Sequence, residues 1–197
     1  MKALLHVCCG VCASSVVERL KCDGFEVTCY FYNPNIHPVD EYRKRLEAAR
    51  KVAEEWGVEF IEGPYDRENW FLAVKGKEYA PEGGARCDIC FEMRLKKTYE
   101  YLRKKMFDRF TTTLTVSPHK DVANVNRIGR EIDETRFICA DFKKKGGYER
   151  TMELAREWGL YKQCYCGCVY SLEEKYKRED KAARDKKRQG QGSSSKA

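Results

Sequence analysis

The chain has 197 residues, 38 of them Lys or Arg against 31 Asp or Glu, for a net charge of +7. That suits one domain with a substantial core and mildly favours a polyanionic partner such as RNA. No stretch approaches about 18 consecutive apolar residues, and the apolar run after Met1-Lys2 is too short for a signal peptide, so a cytoplasmic protein with no membrane span is expected. In a reducing compartment, 11 cysteines read as metal ligands or redox groups ahead of structural disulfides.

Residues 2–7 are apolar and β-prone, and 13–22 follow as an amphipathic helix. Between them lies Cys8-Cys9-Gly10-Val11-Cys12, three cysteines on a strand-to-helix turn. A helix start favours an anion and lowers a thiol pKa, which makes a better ligand or nucleophile. A second strand is expected over 25–32. The segment Asn33-Pro34-Asn35-Ile36-His37-Pro38 breaks it. A long helix is expected over 40–56, a short strand over 58–61 and a helical piece over 68–74. The glycine loop 81–86 leads into a helix over 87–105. Strand four is expected over 109–116, broken by Ser117-Pro118-His119-Lys120, then a helix over 121–132 and a fifth strand over 136–139. A basic loop, 142–147, precedes a helix over 148–158, and the last cysteines lie in 161–170.

This β-α alternation implies an α/β fold with a parallel sheet covered by helices on both faces. The expected form is a three-layer domain of HUP type (adenine nucleotide alpha hydrolase-like) over residues 1–171. Residues 172–197 are expected to form a charged helical extension and basic tail, disordered from Gln189 onward. The loops after the strands then gather at one edge of the sheet and can face one pocket.

Cys87-Asp88-Ile89-Cys90 puts two sulfurs on one helix face, a spacing that serves adjacent irons of a cluster or one tetrahedral zinc. With Cys8 and Cys9 it makes four thiolates, the usual set for a [4Fe–4S] cluster. In Cys164-Tyr165-Cys166-Gly167-Cys168, cysteines at i, i+2 can close only a strained, labile disulfide, so Cys164 and Cys166 suggest a redox-active dithiol, with further metal ligation as the rival reading. Cys12 and Cys168 are left for a second metal ion, iron or zinc, or for thiol exchange. Cys22, Cys29 and Cys139 have no cysteine neighbours and read as core. Neither a P-loop nor a dinucleotide fingerprint is present, so no nucleotide cofactor is expected. His37 and His119 lie in loops after strands as candidate proton donors or RNA contacts, and His6 reads as a satisfied core histidine. Tyr32, Arg43, Arg86, Lys120, Lys143, Lys144 and Lys145 are candidates for holding phosphates or stacking on bases.

The sequence resembles the cobalamin-independent epoxyqueuosine reductases of the QueH type. The segments that carry the resemblance are His6-Val7-Cys8-Cys9 with Cys12, Tyr32 to Pro38 with Glu41-Tyr42, and Glu82 to Cys87 with Cys90. Further on come Ser117 to Lys120, Phe142-Lys143-Lys144 with Gly147-Tyr148, and Tyr161, Gln163 and Tyr165 to Cys168. Gly10-Val11 departs from the family's usual Ala-Pro, and Thr151 stands where Ser is usual. The resemblance implies reduction of the epoxide of epoxyqueuosine to queuosine at the tRNA wobble position. It also implies an iron–sulfur cluster on Cys8, Cys9, Cys87 and Cys90, a redox-active pair at Cys164 and Cys166, tRNAs with queuosine-type anticodons as partners, and an unidentified electron donor. Asp88 and His37 are the candidates for protonating the departing oxygen. Two other readings stand beside it: an ATP-dependent iron–sulfur tRNA-thiolating enzyme of pyrophosphatase-like fold, and a non-catalytic zinc-stabilised RNA-binding domain.

Overall fold

The computed structural model describes the backbone of residues 1–192 and the side chains of residues 1–186. Four strands, β1 (Lys2–His6), β2 (Glu26–Phe31), β3 (Glu59–Glu62) and β4 (Arg109–Thr112), form one parallel sheet in the order β3-β2-β1-β4. The helices are α1 (Gly10–Cys22), α2 (Val39–Trp56), α3 (Arg67–Ala73), α4 (Ala85–Lys105), α5 (Val122–Ile132), α6 (Gly147–Glu157) and α7 (Val169–Gly192).

The central strands are buried on both faces, and their side chains show which helix covers which face. Tyr30 stacks on Tyr101 of α4 at 4.8 Å between centroids, while its neighbour Phe31 meets Tyr42 of α2 at 5.3 Å. Successive strand residues point to opposite faces, so α4 and α2 lie on opposite sides of the sheet. Helix α1 packs between α2 and α6, and α4 packs against α5 and α3, which completes three layers. Expected and observed fold class agree.

The chain steps from β1 outward to β3 and then returns to place β4 on the other side of β1. The turns leaving β1 and β4 therefore flank the point where the strand order reverses, the usual ligand site in such sheets. They are tied together there: the Cys8 amide donates to Thr113 Oγ1 at 3.0 Å, and that hydroxyl lies 3.2 Å from Cys8 Sγ.

Several boundaries differ from expectation. Helix α1 starts at Gly10, so Cys12 belongs to its first turn. Strand β4 ends at Thr112 and not at 116, because the Thr112 hydroxyl accepts the Leu114 amide and turns 113–116 into a 3-10 helix. The fifth strand over 136–139 is reduced to one bridge, Phe110 to Phe137. There the Ile138 carbonyl accepts from Thr111 Oγ1 in place of a backbone amide, and the ladder stops. Cys29 is core as expected, but Cys22 and Cys139 are exposed, the first at the end of α1 and the second just past the failed ladder. The boundary drawn between residues 171 and 172 falls inside α7. Arg86 binds that helix, donating Nη2 to Glu174 at 3.3 Å while Nη1 holds the Glu78 and Ala80 carbonyls. Of the segment expected to be disordered, 189–192 continue α7 and the remainder lies outside the described residues.

At Gly10 the backbone of α1 closely approaches that of α2. A Cβ there would come within 2.3 Å of the Ala48 carbonyl oxygen. Gly10→Ala is expected to lower stability by about 1–3 kcal/mol through overpacking, measured as a lower urea midpoint at unchanged slope.

Candidate functional site: a cysteine-lined cavity

The end of β1 delivers Cys8 and Cys9 to the start of α1. Cys9 is the helix N-cap, and its sulfur accepts the Cys12 amide at 3.5 Å. Capping by a sulfur bends the turn so that all three thiols converge. Their Sγ atoms lie within 4.8 Å of one another, and Cys8 and Cys9 are 3.8 Å apart. Gln163 Nε2 donates to Cys9 Sγ at 3.0 Å, across 154 residues of sequence. Hydrogen bonds from Cys12 and Cys9, helped by Arg94 and Thr113, hold the Cys8 thiol well below its usual range against the opposing effect of burial. The Cys12 thiol is pushed up by its bonds to Cys8 and Cys9 and by burial.

Helix α4 supplies Cys87 and Cys90, both buried. The Gly83 amide donates to Cys87 Sγ at 3.2 Å, and burial pushes the Cys87 thiol up to about 12. One turn on, Arg94 is 3% exposed. Its guanidinium reaches Asn33 Oδ1 at 2.6 Å, His6 Nε2 at 3.3 Å and Cys90 Sγ at 3.9 Å. His6 is the satisfied core histidine expected: its Nδ1 pairs with Thr112 Oγ1 at 2.8 Å, and burial followed by Arg94 lowers its pKa to about 3.

The third wall is the loop 164–168. Arg45 of α2, paired with Glu41 at 2.7 Å, donates to the carbonyls of Cys166 at 2.8 Å and Tyr165 at 3.0 Å. The His37 amide donates to the Gly167 carbonyl at 2.7 Å, and the Tyr165 hydroxyl donates to the His37 carbonyl. Gly167 sits at φ +127, where a Cβ would meet Arg45 Nη1 at 3.0 Å. Lys120 Nζ lies 3.2 Å from Cys166 Sγ and Lys175 Nζ 3.1 Å from Cys164 Sγ. Burial opposes the charge on Lys120, but the sulfurs of Cys166 and Cys8 together raise the lysine's pKa.

These walls enclose a cavity of about 320 Å³ lined by Cys8, Cys12, Arg94, Lys120, Cys164 and Cys166, among others. Its donor set suits a thiophilic metal. Three sulfurs already stand close enough to share one centre, and further thiols flank them on α4 and on the loop. Buried Arg94 and partly buried Lys120 make no salt bridge to a carboxylate among the described residues, and both point at sulfur. Buried cations are retained beside anions, so the surroundings are built for thiolates.

The structure brings Cys8, Cys9 and Cys12 together, and no such close group of three includes Cys87 or Cys90 among the described residues. Cys168 packs with Cys90 against Trp70. Asp88 does not line the cavity. Its carboxylate accepts from Asn124 and faces a separate groove between α4 and α5. The His37 ring also stands outside the lining, against Trp70 and Phe71, with its pKa lowered to about 4 by burial and then by Arg67. Tyr32 and Arg86 are buried and so present no surface to RNA, whereas Arg43 is exposed beside Asp40. The basic loop contributes Lys145 to a separate depression shared with Arg150. Sequence reasoning gives no role in the site to Arg94, Gln163, Thr113, Arg45 or Lys175, because their partners are far away in the chain or hidden in a charge-rich run.

A family model described as "Epoxyqueuosine reductase QueH" matches residues 3–174. Curated relatives carrying that name include one from Haemophilus influenzae, 42% identical over 94% of this chain and 77% of the relative. Another, from Thermotoga maritima, is 38% identical over 87% of this chain and 91% of the relative. Among solved structures, the U34-tRNA thiolase NcsA from Methanococcus maripaludis with its [4Fe-4S] cluster matches with a TM-score of 0.51 over 94% of this chain and 67% of that one. At 14% identity that likeness speaks for the fold alone. Converging cysteines at the sheet's switch point and a match running nearly end to end place the chain in one family: it belongs to the epoxyqueuosine reductase QueH family.

Proposed function

We propose that this cavity reduces the epoxide of epoxyqueuosine in the wobble position of tRNA, giving queuosine. The observation that carries the reading is the pairing of Arg94 and Lys120 with sulfur, at 3.9 Å from Cys90 and 3.2 Å from Cys166, in a chain of this family. The overall change consumes two electrons and two protons, breaks both carbon–oxygen bonds of the epoxide and releases water.

Cys8, Cys9, Cys87 and Cys90 would hold a [4Fe–4S] cluster. When bound, it would relay electrons one at a time. Cys12 and Cys168 remain the candidates for a second metal ion, which would supply the Lewis acid for the epoxide oxygen. The chain's own residues do the rest. Thr113, Gln163 and the Gly83 amide orient three of the sulfurs by hydrogen bonds, which fixes their lone pairs before any ligand arrives. Arg94 supplies positive charge where electrons accumulate, and Asn33 fixes its angle. Cys164 and Cys166 supply the two electrons as a dithiol and become a disulfide. The modified base enters unstacked from its neighbours, and Arg178 on the cavity lining suits a flanking phosphate.

Anaerobically purified protein is expected to contain iron and sulfide and to convert epoxyqueuosine tRNA without ATP. Protein holding zinc alone, with no iron–sulfur absorbance, would sink the cluster assignment. Cys87→Ala should lose the iron, whereas Cys164→Ser should keep it and turn over at least about a hundredfold more slowly; iron analysis beside a single-turnover assay separates the two. Binding of tRNA should weaken linearly in log–log terms as salt rises, and a salt-independent affinity would argue against a phosphate-tracking surface.

A further inference from the structure

The two cysteines of the pair stand in different surroundings. Cys164 is exposed, and Cys166, two residues on, is partly buried. The loop cannot readily exchange them. Arg45 grips the carbonyls of Tyr165 and Cys166, and the His37 amide grips that of Gly167. Each sulfur also has its own ammonium. Lys120, beside Cys166, makes no salt bridge among the described residues and lies 5.6 Å from the centre of the Phe91 ring. Lys175, beside Cys164, shares its charge with Glu179 at 3.6 Å.

Thiol–disulfide exchange needs an attackable sulfur and a leaving thiolate that is well stabilised. We propose that Cys164 is the entry sulfur for an external dithiol reductant, and that Cys166 is the leaving thiolate, received by Lys120. The inference rests on the dithiol reading of this pair.

Once the pair is a disulfide, a thiolate of the reductant attacks Cys164 Sγ. A bond forms between the two, the Cys164–Cys166 bond breaks, and its electron pair stays on Cys166 against the Lys120 ammonium. The second thiolate of the reductant then attacks its own mixed-disulfide sulfur. It leaves as an oxidised disulfide and frees Cys164. Two electrons have entered, and the reductant's thiol protons pass to solvent. Lys175 beside Cys164, and Arg178 on the cavity lining, favour an approaching thiolate over a neutral thiol.

The test uses the full chain purified anaerobically with its metal. The protein is oxidised with stoichiometric diamide, exposed briefly to glutathione, quenched in acid and mapped by mass spectrometry. The expected result is a Cys164–Cys166 disulfide before glutathione and an adduct on Cys164, with Cys166 free, afterwards. Lys120→Met should still form the disulfide but react with glutathione about tenfold more slowly. In a Cys166→Ser background, where Cys164 exchanges with oxidised glutathione and Cys166 no longer leaves, Lys120→Met should change nothing. An adduct on Cys166 at an equal or greater rate overturns the assigned direction. An unchanged rate in Lys120→Met overturns the role of the lysine. If no Cys164–Cys166 disulfide forms at all, the dithiol reading fails and takes this inference with it.

Discussion

Among the described residues Arg94 is buried with no carboxylate to balance it, and much of the site follows from how that cation is accommodated. One guanidinium spans three elements: the ring of His6 at the end of β1, the side chain of Asn33 after β2, and the sulfur of Cys90 on its own helix. His6, lowered to a pKa of about 3, stays neutral, its Nε2 lying 3.3 Å from Arg94 Nε and 3.2 Å from the Tyr32 carbonyl. A protonated histidine there would set two cations against each other in a dry interior. The charge is therefore left to the sulfurs, and the loops around the sheet's switch point are drawn toward it.

A second constraint is steric. Gly10 lets α1 approach the Ala48 carbonyl of α2, and the same residue follows directly on Cys9. Close packing of the helix and placement of the sulfurs are thus one event. The loop carrying Cys164 and Cys166 is attached to this frame through Arg45, also on α2, so two sulfur-bearing segments at opposite ends of the chain are referenced to one helix.

Much of this was legible in the sequence where local periodicity was strong. The alternation of apolar strands with amphipathic helices predicted the layers, and the clustering of cysteines on turns marked the cavity. Legibility failed where a side chain competed with the backbone ladder, as Thr112 does at the end of β4 and Thr111 does at Ile138. It failed again on helical phase: Asp88 follows Cys87 by one residue, yet that step turns it away to Asn124. Contacts such as Gln163 to Cys9, 154 residues apart, leave no local trace. Lys175 sits in a run so rich in charge that nothing marked it out, one residue past the stretch that the family model matches.

The capping role of Cys9 has a consequence for substitution. Its sulfur starts α1 by accepting the Cys12 amide, as an Asp or Ser would at an ordinary helix start. Around it, β1 and the inner face of α1 are packed in apolar side chains. One sulfur therefore serves the helix and the cavity at once, and taking it away removes a cap as well as a thiol, so damage to the fold and damage to the chemistry arrive together at this position.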